Sequence, residues 1–296
     1  MLNFEAALTT TLKRYAHHPT MLKAMDYAVM PPGKLFRPRL LEALCRDCGA
    51  PEPKDILRLG CALEIHHAYT LVHDDMPCMD NDLERRGKPT THVAFGQWQA
   101  LLTGDVLLAL SYAELEHLTT EGAGFLRKFF HWATGAKGLI LGQWIDLGHE
   151  GANHAALLVR MHELKTARLM QVATVGAMVL TNPRFTLKDL KRALRLGSSI
   201  GLVFQLLDDL DDLCAGTLSK HELAVNPFLQ APSEVREILA HALKTLAQYQ
   251  LPETQKFLRS FLNKSATNLI ANHAAWGKHL ANEKSEIEKL LKPLAN

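Results

Sequence analysis

Long apolar runs are missing from this 296-residue chain. Its most apolar stretch, 169–180, is interrupted by Gln171 and falls short of the roughly 20 residues that a bilayer-spanning helix needs. No membrane span is expected, and the stretch reads as a helix buried on most sides. Charge of one sign is equally scarce. The formal net charge is +2, with no run of five or more like charges. That excludes a charged tail and the dominant basic face of a nucleic-acid binder. The first residues contain Glu5 and no unbroken apolar core, so they do not read as a signal peptide.

Cysteines number five, an odd count in a long chain, which points to reduced thiols and a cytoplasmic setting. Cys45 and Cys48 form one C-x-x-C, but no second pair exists to complete a zinc site. Two thiols on a helix face is the better reading. Strand signals are nearly absent, since no Asn-Gly or Asp-Gly turn joins alternating apolar runs. No Gly/Ser-rich or Pro-rich linker divides the chain, and no short repeat recurs. With 47% hydrophobic and 22% charged residues, the composition suits a folded globular protein.

What is present is helical periodicity. Leu2, Phe4, Leu8, Leu12 and Tyr15 trace a first amphipathic helix, and Pro31-Pro32-Gly33 breaks the chain. Helices are expected over about 37–48 and 53–73, then over roughly 95–118, 123–149, 153–180, 186–214, 232–249 and 253–293. The class is all-α. Long helices with short loops imply a bundle whose site is built inside it from facing helices.

Two acidic clusters carry the chemistry. The first, His73-Asp74-Asp75-Met76-Pro77-Cys78-Met79-Asp80-Asn81-Asp82, closes a long apolar helix. The second, Phe204-Gln205-Leu206-Leu207-Asp208-Asp209-Leu210-Asp211-Asp212, follows the apolar run 196–207. Asp208 and Asp212 are four residues apart and share a helix face. Like charges so spaced destabilise a helix, so they call for cations. Hard oxygen ligands suit Mg²⁺, which takes one or two carboxylates and completes its shell with water and phosphate. One such cluster could be a solvated helix end; two, each ending an apolar helix, weaken that reading. Arg85, Arg86, Gly87 and Lys88 follow the first cluster. They fit either surface ion pairs or a diphosphate gripped by guanidinium forks.

These residues resemble the trans-prenyl diphosphate synthases, most closely the bacterial farnesyl diphosphate synthases. The first motif has the form D-D-x4-D followed by Arg85-Arg86-Gly87, and the second F-Q-x-x-D-D-x-x-D. Upstream, Gly33-Lys34-Leu35-Phe36-Arg37-Pro38 resembles the family's G-K-x-x-R-P. Between the clusters lie Gly104-Asp105, Gly142-Gln143 with Asp146, and Lys165-Thr166. Each motif alone is modest, but their order and spacing across about 30–215 are specific.

The resemblance implies a single-domain helical bundle, 1–296, of the isoprenoid synthase type with a central metal and diphosphate cavity. It implies a cytoplasmic homodimer that condenses isopentenyl diphosphate with dimethylallyl or geranyl diphosphate. Three Mg²⁺ ions, replaceable by Mn²⁺, would hold the allylic diphosphate between the clusters. Its ionisation leaves an allylic cation, which the isopentenyl double bond attacks before a proton is lost to the released diphosphate. By position, Asp74, Asp75, Asp80 and Asp208 hold metal, with Asp209 and Asp212 in support. Arg85, Lys165 and Gln205 contact the allylic diphosphate or the cation, and Thr166 lends its carbonyl or hydroxyl. Lys34, Arg37, His67 and Arg86 form the metal-free pocket for isopentenyl diphosphate. On its own, His67 would read as a helix-face histidine beside His66.

Tyr69 lies five residues before Asp74, about 7.5 Å along a helix axis. In similar synthases an aromatic here is a floor that stops growth near fifteen carbons, and Thr70 beside it is small. The expected product is farnesyl diphosphate, with geranyl or geranylgeranyl diphosphate as alternatives. The chain departs from the family pattern at Leu35, where an arginine is usual, and at Asp211, where an apolar residue is usual. The 215–227 loop is also shorter, with Asn226 before Pro227 where the family has tyrosine. Lys220 is the candidate for its missing cation. Competing readings are a terpene cyclase on the same fold, a phosphohydrolase built on His66, His67, His73 and Asp74, and a non-catalytic partner subunit.

Overall fold

The structure, a computed structural model, describes residues 1–49, 51–148, 155–214, 218, 223, 226–280 and 282–295. Asn3 caps α1 (Phe4–Tyr15) by accepting from the Ala6 amide. Phe4, Leu8 and Leu12 recur every four residues and are fully buried, the apolar stripe of a helix laid on a core. Periodicity alone does not single out α2 (Pro19–Val29), which opens on a proline whose missing N–H is unneeded there. Next come α3 (Phe36–Cys48), ended by Gly49 at φ 126°, and α4 (Pro53–Asp74). Cys45 is buried and Cys48 exposed, and both are free thiols.

One short hairpin departs from the expected absence of strands. β1 (Glu84–Arg85) pairs antiparallel with β2 (Lys88–Pro89). Its two loop residues, Arg86 and Gly87, have φ of 54° and 75°, the left-handed pair that matches strand twist in a two-residue hairpin. Strands this short carry no alternation to read. The expected 95–118 helix is divided at Gly96, φ 106°, into α5 (Thr91–Phe95) and α6 (Gln97–Leu115). Likewise the 123–149 block becomes α7 (Ala123–Thr134) and α8 (Leu139–Leu147) around Gly135 and Gly138.

α9 (Ala155–His162) passes directly into a π-turn, Glu163–Ala167, and on into α10 (Arg168–Thr181). The expected buried helix over 169–180 is this α10. α11 (Leu187–Asp212) starts at a capping box in which Thr186 and Asp189 satisfy each other's backbone amides. Then follow α12 (Pro227–Gln230), α13 (Pro232–Ala247) and α14 (Pro252–Ala271), each opening on proline. α15 (His273–Gly277) and α16 (Lys284–Ala295) complete what reads in sequence as one block over 253–293.

The chain forms two compact units. In the first, Met1–Lys128 with Gly176–Phe185, α4 is the central helix and packs on α1, α3 and α6. It is buried on nearly every side, with Leu59, Leu63 and Ile65 at its core. In the second, Phe129–Val175 with Thr186–Asn296, α11 packs on the π-turn, α13 and α14. Its core includes Val203, Leu206 and Leu210. Among the described residues, no helix is long and apolar enough to cross a membrane.

Candidate active site

In the first unit the acidic cluster hangs from the end of α4. Asp74 is its last residue and Asp75 its C-cap. The Asp80 amide donates to the Asp74 carbonyl at 2.9 Å, folding the cluster back so that half-buried Asp74 and exposed Asp80 lie in one turn. Asp75 is different. It is 3% exposed, and Arg85 Nε donates to its Oδ1 at 2.5 Å. Burial pushes the Asp75 carboxyl up, and the Arg85 bond opposes that. Arg85 also reaches Asp82, at 3.0 Å. Arg85 therefore sits inside the acidic cluster as its internal counter-charge.

The Gly104-Asp105 motif explains how α6 seats this cluster. Gly104 faces the His73 ring so closely that any β-carbon would overlap it. His73 Nε2 lies 3.0 Å from the Leu101 carbonyl and 3.8 Å from Asp105 Oδ1. The residue before Asp74 is thus clamped between helices.

The residues expected in the metal-free pocket also lie in this unit. Arg37, His67 and Arg86 lie close enough to act on one another. Burial first, then the charges of Arg37, Arg86 and Arg85, holds His67 well below the usual imidazole range, so it is neutral at pH 7. Burial brings Arg37 down to about 10, with buried Glu64 opposing it. The Arg86 guanidinium covers Gly33, where a β-carbon would come within 2.7 Å of it. Lys34 follows in the chain and is exposed. A cleft of about 200 Å³ is lined by Gly33, Asp75, Arg85, Arg86 and Lys88; of the four residues expected in the metal-free pocket it takes in Arg86 but not Lys34, Arg37 or His67.

Lys88, read in the sequence only as one of the cations after the first cluster, has carbonyl partners. Its Nζ donates to the carbonyls of Tyr27 (2.5 Å) and Met30 (3.2 Å) and lies 4.2 Å from the Tyr27 ring centroid. It pins the end of α2 from which the Pro31-Pro32-Gly33-Lys34 loop departs. The signal was its place as the third cation after the first cluster. Among the described residues, the non-glycine residues with left-handed backbone are Leu35, Asn81 and Arg86. All three flank this half of the site, as strained residues at functional sites do.

Tyr69 is 6% exposed. Its ring stands edge-on to His66 at 4.6 Å and to His73 at 5.6 Å. The histidines of the phosphohydrolase reading diverge. His66 faces Ser111 Oγ at 2.9 Å, His67 faces the arginines, and His73 faces Leu101.

The second unit carries the other cluster. Asp208, Asp211 and Asp212 are exposed on α11, whereas Asp209, expected among the metal ligands, is 5% exposed. Gln205 Nε2 donates to Asp209 Oδ1 at 3.1 Å, and His162 Nε2 lies 3.4 Å from its Oδ2. Burial pushes the Asp209 carboxyl well above its ordinary value and brings His162 down to about 4. Asn226, also buried, donates to the Asp209 carbonyl at 2.8 Å and accepts from Phe228 N. Asn226, expected to stand in place of the family's tyrosine, is a helix cap anchored on α11. The extra carboxylate, Asp211, accepts from Asn268 Nδ2 at 2.9 Å.

Facing α11 is the π-turn, a rare element found mostly at functional sites. It presents Lys165 and Thr166. Lys165 Nζ lies 2.6 Å from Asp146 Oδ2, and Thr166 Oγ1 donates to Gln205 Oε1 at 2.8 Å. Gly142 allows this: a β-carbon there would overlap the Lys165 amide nitrogen. Lys220 lies outside the described residues.

Among the described residues, no three His, Cys, Asp or Glu side chains converge as a ready-made metal cage. Carboxylates are the hard oxygen donors that Mg²⁺ takes, with water and substrate phosphate completing its shell.

Residues 18–222 match the polyprenyl synthetase family. The geranylgeranyl pyrophosphate synthase 3, chloroplastic, of Arabidopsis thaliana is 36% identical over 67% of this chain. The match spans 57% of that relative, so the chain covers less than two thirds of its length. An FPP/GFPP synthase from Zymomonas mobilis superposes with a TM-score of 0.71 at 30% identity, covering 87% of this chain and 96% of that one. A geranyltransferase from Helicobacter pylori, complexed with magnesium and isoprenyl diphosphate, gives 0.73 at 28% identity, covering 88% and 95%.

Proposed function

The chain belongs to the polyprenyl synthetase family, and on that premise we propose that it joins isopentenyl diphosphate to dimethylallyl or geranyl diphosphate and stops at farnesyl diphosphate. The observation that supports this reading is the pairing of solvent-accessible aspartates with a group of cationic side chains around His67. Asp74 and Asp80 in the first unit, and Asp208 and Asp212 in the second, have the exposure that metal ligands need. Arg37, His67 and Arg86, beside Lys34, have the charge that a metal-free diphosphate needs.

When bound, three Mg²⁺ ions, or Mn²⁺, supply positive charge where the leaving diphosphate develops negative charge. The chain's own residues do the rest. Lys165 sits on the π-turn as a cation for the allylic diphosphate, and Thr166 and Gln205 hold one another beside it. The allylic C–O bond breaks with its electrons going to the diphosphate. The isopentenyl double bond then forms the new C–C bond, and the proton leaves from the adjacent carbon to the released diphosphate. Neutral His67 is a hydrogen-bond donor in the metal-free pocket rather than an acid. Tyr69 bounds the tail.

The relatives also favour a second product. The Arabidopsis protein is named a geranylgeranyl synthase, and Thr70 beside Tyr69 is small, so geranylgeranyl diphosphate is the alternative. The proposal includes a cytoplasmic homodimer. Exposed Trp98, Leu101 and Leu102 on α6 support the dimer, because an apolar surface of this kind marks a contact. Sedimentation of wild type against Trp98→Asp tests it; equal masses would refute it. The reaction is tested with radiolabelled isopentenyl diphosphate and C5, C10 and C15 primers, with and without Mg²⁺. A C15 product that vanishes under chelation is expected. Primer turnover without isopentenyl diphosphate consumption would establish a cyclase instead.

A further inference from the structure

Four side chains of the second unit stand in one circuit, of which the reaction scheme leaves His162 and Asp209 unused. Thr166 Oγ1 donates to Gln205 Oε1 at 2.8 Å, and Gln205 Nε2 donates to Asp209 Oδ1 at 3.1 Å. Asp209 Oδ2 lies 3.4 Å from His162 Nε2. His162 immediately precedes the π-turn and Thr166 lies within it, so the backbone closes the circuit. His162 and Asp209 are each 5% exposed. At 3.4 Å the two make an ion-pair contact and not a hydrogen bond, and both His162 Nε2 and Asp209 Oδ2 are buried without a hydrogen-bond partner among the described residues, so each is a polar group that the other can satisfy. Asn226 takes the Asp209 carbonyl as well.

An aspartate held in this way from beneath the helix is turned from the surface on which Asp208 and Asp212 are exposed. Burying a carboxyl is costly unless its oxygens are engaged, so a buried acid retained in a metal motif needs a reason. The circuit supplies one. A helix turns about 100° per residue, and a small rotation of α11 would carry Asp208 and Asp212 off their line.

We infer that His162 and Asp209 are positioning residues, not metal ligands: through Gln205 and Thr166 they lock the rotation of α11 against the π-turn that bears Lys165. This rests on the reaction proposed above. Groups that orient metal ligands typically cost about 10–100-fold in metal affinity or activity when removed, so His162 should be felt at the metal.

The test uses the full chain, Mn²⁺ and inorganic diphosphate. Mn²⁺ binding is followed by electron paramagnetic resonance for wild type, Asp208→Asn, Asp209→Asn and His162→Phe. The Mg²⁺ requirement and the KM for isopentenyl diphosphate are measured for the same set plus His162→Gln. Asp208→Asn should weaken Mn²⁺ at least about tenfold, and Asp209→Asn, which keeps the shape of the circuit, by less than about threefold. His162→Phe should raise the half-saturating Mg²⁺ about tenfold and lower kcat, leaving the KM for isopentenyl diphosphate unchanged. His162→Gln, whose amide can donate to Asp209, should restore most of both. A lowered melting temperature with an unmoved Mg²⁺ requirement overturns the inference, as does a loss in Asp209→Asn equal to that in Asp208→Asn. If His162→Phe fails to fold, the Asp209→Asn and His162→Gln arms still decide. If wild type binds no Mn²⁺ with diphosphate, the reaction assignment itself fails, and the inference with it.

Discussion

Lys165 Nζ lies 2.6 Å from Asp146 Oδ2, an ion pair that ties the π-turn to α8. Asp146 is nearly buried at this pair, whereas the Lys165 side chain keeps 29% exposure. Removing the acid releases a half-solvated cation rather than stranding a buried one. The cost of Asp146→Ala should therefore be about 2 kcal/mol, within the range of a charge-assisted hydrogen bond. Urea denaturation measures it. If Lys165 works where the pair holds it, kcat should fall about tenfold at saturating substrates. An unchanged kcat would mean that Asp146 does not position Lys165.

Arg86 covers Gly33 from the hairpin turn and shares its surroundings with His67 and Arg37. Arg86→Ala should raise the KM for isopentenyl diphosphate about tenfold to a hundredfold, the worth of one charge-assisted contact. The KM for the allylic primer should stay near wild type. Equal rises in both would place Arg86 outside a separate pocket.

The sequence carries α4 and α11 clearly, because each is a long apolar run ended by acids. It also names Arg37 and Arg86 through their motifs, and the fold brings their charges to bear on His67, which no motif marks. It does not separate Asp208 from Asp209. Adjacent acids in one run look alike until it is known that α9 lies beneath Asp209 with His162 at its end. The π-turn is hidden for a related reason. One extra backbone residue leaves the apolar pattern of Leu164, Ala167 and Leu169 helical, and only Gly142 approaching Lys165 reveals where the turn bulges. Lys88 was legible as a charge but not as the anchor of Tyr27 and Met30, because those partners are carbonyls, and a carbonyl has no signature in sequence.

His66 offers a test of burial by pH. It has no exposed surface and faces Ser111 on α6, with the Tyr69 and Tyr112 rings against it. Burial, then the charge of Arg37, brings its pKa down to about 3. The unfolded chain takes up this proton near pH 6.5 and the folded chain does not. Stability from this group is therefore complete above about pH 6.5 and is lost as pH falls, by up to about 1.4 kcal/mol per unit. Glu64, raised by burial, acts in the opposite direction, but it is common to wild type and variant. Between pH 6.5 and 5, His66→Asn should lose about 2 kcal/mol less stability than wild type. Parallel curves from urea denaturation would show that His66 titrates normally in the fold.

On the proposed reaction, product length is set at Tyr69. Its ring is nearly sealed from solvent and stands edge-on to His66 and His73, one on each side along α4. The two imidazoles fix the ring's direction, so it can act as a wall rather than swing aside. A tail growing from the diphosphate at Asp74 would meet it about 7.5 Å along the axis. Tyr69→Ala removes the wall, and the main product should lengthen from C15 to C20. Tyr69→Phe keeps the ring and should keep C15, since the hydroxyl is not what the tail meets. The alanine variant should also lose about 3–5 kcal/mol of stability, as truncated core aromatics do, so products are compared well below its melting temperature. Chromatography of the dephosphorylated products decides the matter. A C15 product from Tyr69→Ala would move the floor to another residue, and a C20 product from wild type would mean that Tyr69 never was one.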